Sequence, residues 1–312
     1  MSKREPFDTT LGNFAQQLRA QDYAARTIAT YLWHLGHFRR WLADRGLSSF
    51  AALSTDHVAA YQRLLASRPG KGGRPLSAGS RAIAASAIRM LGAWLVRAGA
   101  ARTDPARDLE LPRMRKTLPD NVLSVREVER LLGTPALDDP EGLRDRALME
   151  LLYATGLRQS EALDLRLDDV DLAGSTVRVR RGKGGAGRMA PLAREAVAAL
   201  SAYLAEARAL LAQFKDSGFF FVSRAGTRLD PSGMLKRFKR YAGAAGIKRP
   251  VGFHTFRHSV ATHLMQRGVH IRYIMELLGH GSLGATQIYT RVTIDDLKRA
   301  HARYHPRERM DV

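Results

Sequence analysis

The chain of 312 residues is 45% hydrophobic and 7% aromatic, enough apolar material for two cores of ordinary domain size. It holds 50 Lys and Arg against 30 Asp and Glu, a formal charge of +20, and no cysteine, so disulfides, thiolate metal sites and cysteine nucleophiles are excluded. A surplus of this size favours a polyanionic partner, with nucleic acid ahead of an anionic membrane surface and a solubility surplus as the blander reading.

Up to residue 110 there are sixteen Lys/Arg against eight Asp/Glu, and beyond it thirty-four against twenty-two, giving +8 and +12. Both parts are basic, so no single basic tail is the source, and two basic bodies joined by a linker could hold a duplex from opposite sides. Met1–Phe7 has charges without an apolar stretch behind it, and nowhere do about eighteen apolar residues run together. Neither a signal peptide nor a membrane span is expected, which points to the cytoplasm, on the nucleoid.

A short helix is expected near Thr10–Ala20. From Thr27 to Arg45, Ile28, Tyr31, Leu32, Leu35, Phe38, Trp41 and Leu42 form one apolar stripe that Gly46 closes. A third helix follows from a Thr55 cap with Val58, Tyr61, Leu64 and Leu65 on its face, and a fourth spans about Ser80–Arg97. Between them Pro69–Pro75, rich in glycine, cannot be helical; it is a surface loop or a contact for a DNA backbone. Asp104-Pro105 and then Leu111–Pro119 break the periodicity with three prolines and three cations, placing a linker at about 108–120 and dividing the chain into residues 1–110, a linker at 111–120 and residues 121–312.

The second part opens on Ser124-Val-Arg-Glu127, a capping box, and continues with helices at about 143–154 and 159–166. Thr176–Arg181 alternates Val177 and Val179 with arginines, Gly182–Gly187 turns the chain, and Arg188–Leu192 can return antiparallel. Phe219–Ser223 suggests a further short strand. Other helices fit 190–212, 231–243, 255–267, 270–278 and 294–304, so the fold class is mainly α with a small antiparallel β element.

Within 255–267 and the residue before it, the spacing predicts that His254, Arg257 and His258 share one side of a helix. A metal reading lacks the glutamate that an HExxH site requires, and Arg257 would repel a cation. An anion reading fits better, because a guanidinium can hold two phosphate oxygens while a histidine moves a proton near neutral pH. Structural histidines remain the alternative for this stretch alone.

The stretch is one of an ordered set: Ala154-Thr-Gly-Leu-Arg158-Gln-Ser-Glu161, Gly182-Lys183-Gly184, His254-x-x-Arg257, Leu278-Gly-His280 and Thr286-Gln-Ile-Tyr289. In order and spacing it resembles the tyrosine recombinases, also called phage integrases, and among them the Xer-type bacterial group. The resemblance covers about 123–300, and the helical first part resembles the family's core-binding, DNA-clamping domain more weakly.

The resemblance implies a site-specific recombinase that cuts and rejoins strands through a 3′-phosphotyrosine intermediate and a Holliday junction, with no metal or other cofactor. Tyr289 would be the nucleophile, and Arg158 and Arg257 would hold the non-bridging oxygens of the scissile phosphate. Lys183, one of nine lysines beside forty-one arginines, would protonate the departing 5′-oxygen. His254 would move a proton at the tyrosine and His280 would hydrogen-bond the phosphate. Glu161 would position an arginine, and His258 and His263 would be structural. Gly185-Ala186-Gly187 departs from the family's usual polar and basic residues after the lysine, which touches other DNA contacts of the hairpin.

The expected partners are double-stranded DNA and three further copies, as a homotetramer on paired sites, or a second recombinase in a heterotetramer, with an accessory protein where one is required. No membrane partner is implied. The tail from Thr293 reads as a helix with Asp295 and Asp296 at its start and Pro306 after its end. In the family such a helix exchanges between subunits; packing on its own domain is the alternative. Two rival functions are a type IB topoisomerase, against which the length and the tail count, and a DNA-binding factor with a decayed site, against which the six filled positions count.

Overall fold

In a computed structural model of the chain the described residues are 6–68, 73, 75–112, 121–180, 187–279 and 294–308. They fall into two compact units, Met1–Lys116 and Thr117–Val312.

The first unit contains helices α1 (Phe7–Ala20), α2 (Ala25–Ala43), α3 (Thr55–Ser67) and α4 (Ala78–Arg97). The apolar stripe of α2 does what its spacing demands: Leu35, Phe38 and Leu42 are fully buried, as are Leu91 and Leu95 of α4. Phe38 packs against Tyr61 and Phe50, and Phe50 meets Phe7 edge to face. The cap of α3 is Ser54, one residue before the expected Thr55. Its hydroxyl accepts from the His57 N–H, and the His57 ring accepts from the Ser54 N–H. Of the loop from Pro69 to Pro75, residues 69–72 and 74 lie outside the described residues.

The second unit begins with α5 (Val125–Leu132), capped by the expected box of Ser124 and Glu127. Next come α6 (Pro140–Thr155) and α7 (Gln159–Leu163), then strands β1 (Val170–Asp171), β2 (Thr176–Val179) and β3 (Arg188–Pro191). The strands form one antiparallel sheet in the order β1-β2-β3, with Val177 opposite Ala190 and Val179 opposite Arg188. The expected hairpin is therefore present, while its turn, 181–186, lies outside the described residues.

Beyond the sheet run α8 (Arg194–Ala202), a wider π-helical stretch at Tyr203–Arg208, α9 (Ala209–Leu211), α10 (Pro231–Ala244), α11 (Phe253–Gln266), α12 (Ile271–Leu278) and α13 (Ile294–Tyr304). Two expectations are corrected. The helix expected over 190–212 begins at Arg194, because residues through Pro191 belong to β3. The run Phe219–Ser223 forms no strand; it meets Arg166 and Arg228 only at single bridges, and its aromatic rings Phe220 and Phe221 are buried beside Tyr203. The third strand is Val170–Asp171, too short for any alternation to announce it.

From Ala147 to Thr155, α6 is buried on every side, the mark of a central helix that other elements surround. It ends at Gly156, whose φ of +62° suits glycine and where a Cβ would collide with the Leu278 side chain. The centre of the core thus delivers the chain directly to Leu157 and Arg158. Among the described residues no helix is long and apolar enough to cross a membrane.

The tail rests on its own unit. His301 and His305 set their Nε2 atoms 2.8 and 3.1 Å from the carbonyls of Ala154 and Tyr153, and the Arg307 guanidinium donates to the buried Glu150 carboxylate at 2.5 Å. An Arg307→Ala substitution should lower stability by about 2 kcal/mol, the scale of a buried charged hydrogen bond, because Glu150 keeps its second partner Arg146. Urea unfolding of the full chain measures this, and an unchanged midpoint would show that the pair contributes nothing.

Candidate active site

Two helices end in the same place. α6 stops at Gly156 and α12 stops at Gly279, both in the left-handed conformation, with φ of +62° and +64°. A helix leaves its last carbonyls without partners inside the helix. Here three arginines from three separate elements supply them. Arg188 at the start of β3 donates its Nε to the Leu277 carbonyl at 3.1 Å, Arg257 of α11 donates Nη2 to that of Leu278 at 2.7 Å, and Arg158 donates Nη2 to that of Gly279 at 3.1 Å. Arg257 also reaches the other helix end, donating Nη1 to the Gly156 carbonyl at 2.7 Å.

Glu161 ties the group together. Its Oε1 accepts from Nη1 of Arg158 at 2.8 Å and of Arg188 at 3.0 Å. Its Oε2 accepts from the Arg158 backbone N–H at 2.8 Å and from Nη2 of Arg188 at 2.9 Å. Burial alone would raise the Glu161 pKa, but the bonds from Arg188 and Arg158 outweigh it and hold it down to about 2. The expected role of Glu161 as a partner that positions an arginine fits these contacts.

Among the described residues one carboxylate faces three guanidiniums here, and Arg188 and Arg257 are largely shielded from solvent. Arg257 registers the excess: burial first, then the charges of Arg158 and Arg188, pull its pKa from 12.5 to about 10. An anion placed here would offset the repulsion among the three cations.

The sequence-predicted residues divide into two groups. Arg158 and Arg257 are brought together around the ends of α6 and α12. His254 lies one turn before Arg257 on α11; it is exposed, as is His258, their rings 6.3 Å apart, whereas Arg257 is buried. The expectation that the three share one side is corrected to that extent: Arg257 turns inward to the two carbonyls. His263 is buried and bonded to the Tyr153 hydroxyl at 2.8 Å, as a structural histidine should be. Lys183, His280 and Tyr289 lie outside the described residues. Along the chain Lys183 falls between paired Val179 and Arg188, and His280 directly follows Gly279. Arg188 was not anticipated; its one signal in the sequence is a cation heading the otherwise uncharged strand Arg188-Met-Ala-Pro191.

The mainly helical second unit thus gathers three guanidiniums around two converging helix ends. The model of the phage integrase family matches residues 121–295, and that of the phage integrase N-terminal SAM-like domain matches residues 11–99. The tyrosine recombinase XerC 2 of Ralstonia nicotianae is 37% identical over 291 residues, covering 93% of this chain and 84% of its own length. The tyrosine recombinase XerD of Pseudomonas aeruginosa is 39% identical over 284 residues, 91% of this chain and 92% of its own.

Among solved structures, the XerH site-specific recombinase in its post-cleavage complex with a palindromic difH substrate superposes with a TM-score of 0.68 at 22% identity, covering 94% of this chain and 82% of that one. A lambda integrase dimer bound to a COC′ core site gives 0.66 at 16%, covering 93% and 100%. Both share the fold. The chain belongs to the phage integrase family, the tyrosine recombinases, enzymes that cleave DNA at specific sites and rejoin it.

Proposed function

We propose that the chain exchanges DNA strands by two successive transesterifications, with Tyr289 as the nucleophile, in the cytoplasm and on the nucleoid. The phenol oxygen bonds to the scissile phosphorus while the bond to the 5′-oxygen breaks, leaving a 3′-phosphotyrosine and a free 5′-hydroxyl. Arg158 and Arg257 hold the non-bridging oxygens as charge builds on them. Lys183 gives a proton to the departing oxygen, His254 moves the tyrosine proton, and His280 hydrogen-bonds the phosphate. The reverse attack by a 5′-hydroxyl from the other duplex rejoins the strand. No high-energy cofactor enters, because the phosphotyrosine conserves the energy of the broken bond.

The observation that carries this reading is the pair Arg158 and Arg257, brought from two separate elements to the shared helix ends beside Glu161. The wild-type chain, incubated with a nicked duplex carrying a site selected from random sequences by binding, should become attached to the 3′ end of the cut strand. Absence of any attachment to every selected duplex would reject the reading. A Lys183→Ala protein should cleave more slowly by about 100- to 10,000-fold, the usual share of a general acid. A substrate whose 5′-bridging oxygen is replaced by sulfur should restore it, since a thiolate leaves without a proton. Equal loss on both substrates would remove Lys183 from that role.

For assembly we infer a homotetramer on two paired sites that passes through a Holliday junction, with residues 1–110 as a second DNA-binding unit and α13, packed on its own unit in the single chain, passing to a neighbour in the assembly. Recombination by the purified chain alone separates self-sufficiency from a need for a second recombinase or an accessory protein.

A further inference from the structure

We propose that Arg188 is a positioning residue of the cleavage site: by spanning Glu161 and the Leu277 carbonyl it fixes Arg158 and the end of α12 in the register that meets the phosphate. This rests on the reading of Arg158 as a phosphate ligand given above.

Arg188 uses all three guanidinium nitrogens on partners belonging to two other elements. Nη1 and Nη2 take the two Glu161 oxygens at 3.0 and 2.9 Å, and Nε takes the Leu277 carbonyl at 3.1 Å. Its side chain is 9% exposed. A planar fork does this; an ammonium on a single stem does not.

A second observation is independent of those bonds. The backbone at Gly279 passes directly over the same guanidinium, so that a Cβ there would stand 2.8 to 3.0 Å from Nη1, Cζ and Nε of Arg188. The turn that leads into His280 is therefore packed onto Arg188 by van der Waals contact as well as through the carbonyl of Leu277.

The electrostatics give the arrangement a purpose. Glu161 is shared: each oxygen accepts once from Arg158 and once from Arg188. Shared in this way, it orients Arg158 without neutralising it. With Arg188 removed, the same carboxylate faces Arg158 alone, the cluster loses one positive charge, and α12 loses the tie at Leu277. Arg188 thus acts on the phosphate through Arg158 and is not itself a ligand.

The test is single-turnover cleavage by the full chain on nicked duplexes of the selected site, with the scissile phosphate either natural or replaced by an uncharged methylphosphonate. Arg188→Ala should slow cleavage of the natural phosphate by on the order of 10- to 100-fold, as the loss of a residue supporting a direct ligand does. On the methylphosphonate, which has no charge to neutralise, the loss should shrink to less than about threefold, and that of Arg158→Ala should shrink with it.

Arg188→Lys keeps the charge and guards against a folding failure of the Ala variant. It should show the same substrate dependence, because lysine cannot span the carboxylate and the carbonyl. Equal losses on the two substrates, the signature of a merely structural residue, would overturn the proposal. So would wild-type rates for the Lys variant. If Arg158→Ala itself loses equally on both substrates, the phosphate reading of Arg158 fails, and the proposal fails with it for that separate and visible reason.

Discussion

A Tyr289→Phe protein should bind its duplex as the parent does and form no covalent adduct with it. The substitution removes one oxygen and leaves the ring, so affinity, which comes from phosphate contacts spread along the duplex, has no reason to change. Cleavage does. A phenol with an ordinary pKa near 10 attacks phosphorus only when its proton is taken and its oxygen aligned, and a phenyl ring has neither function. The rate of attachment should fall by at least about a thousandfold, the scale on which losing a nucleophile acts. Denaturing gels of a nicked substrate report the adduct directly, and a band that persists in the Phe protein would assign the nucleophile elsewhere.

Replacing Arg257 by lysine should cost on the order of 100- to 1000-fold in cleavage while changing duplex affinity by less than about tenfold. The guanidinium bridges two helix ends, from the Gly156 carbonyl to that of Leu278, a span that one ammonium cannot cover. The pocket also penalises charge, since it brings the Arg257 pKa down from 12.5 to about 10, first by burial and then through Arg158 and Arg188. A lysine there would have its pKa pulled below the ordinary value in the same direction, first by burial and then by the neighbouring arginines. Its charged form exists below that pKa, so the variant's rate relative to wild type should fall as pH rises from about 7 to about 9. A ratio flat across that range would show that the pocket does not disfavour the cation.

Much of the fold was legible because apolar periodicity answers to the same burial that makes a core. The stripe from Ile28 to Leu42 and the alternation at Val177 and Val179 were realised as α2 and β2. The misreadings share a cause. Phe219–Ser223 has the composition of a strand, but whether such a run pairs depends on a neighbour of matching length, and it found only Arg166 and Arg228 at single points. The Arg158 motif and the His254-x-x-Arg257 motif could be recognised as belonging together only through the family pattern, since 99 positions separate the arginines along the chain.

What joins them, the carbonyls of Gly156, Leu278 and Gly279, is backbone and leaves no mark on residue identity beyond the two glycines. Arg188 was overlooked for the same reason: its partners are a carboxylate read as belonging to Arg158 and a carbonyl that any residue at 277 would provide. Spacing alone put Arg257 beside His254 and His258, and those carbonyls drew it inward.

The meeting of α6 and α12 has a thermodynamic side. Arginine side chains lose up to about 2 kcal/mol of rotamer entropy when they are fixed, so three of them ordered at the moment of DNA binding would subtract several kcal/mol from cleavage-competent affinity. In this chain Arg158, Arg188 and Arg257 are fixed on backbone carbonyls that cannot diffuse away. Their ordering therefore belongs to folding. If Arg158 and Arg257 take the phosphate as proposed, it meets guanidiniums already ordered, with Arg188 fixed behind them, and the binding energy can go to bending, pairing and exchanging duplexes.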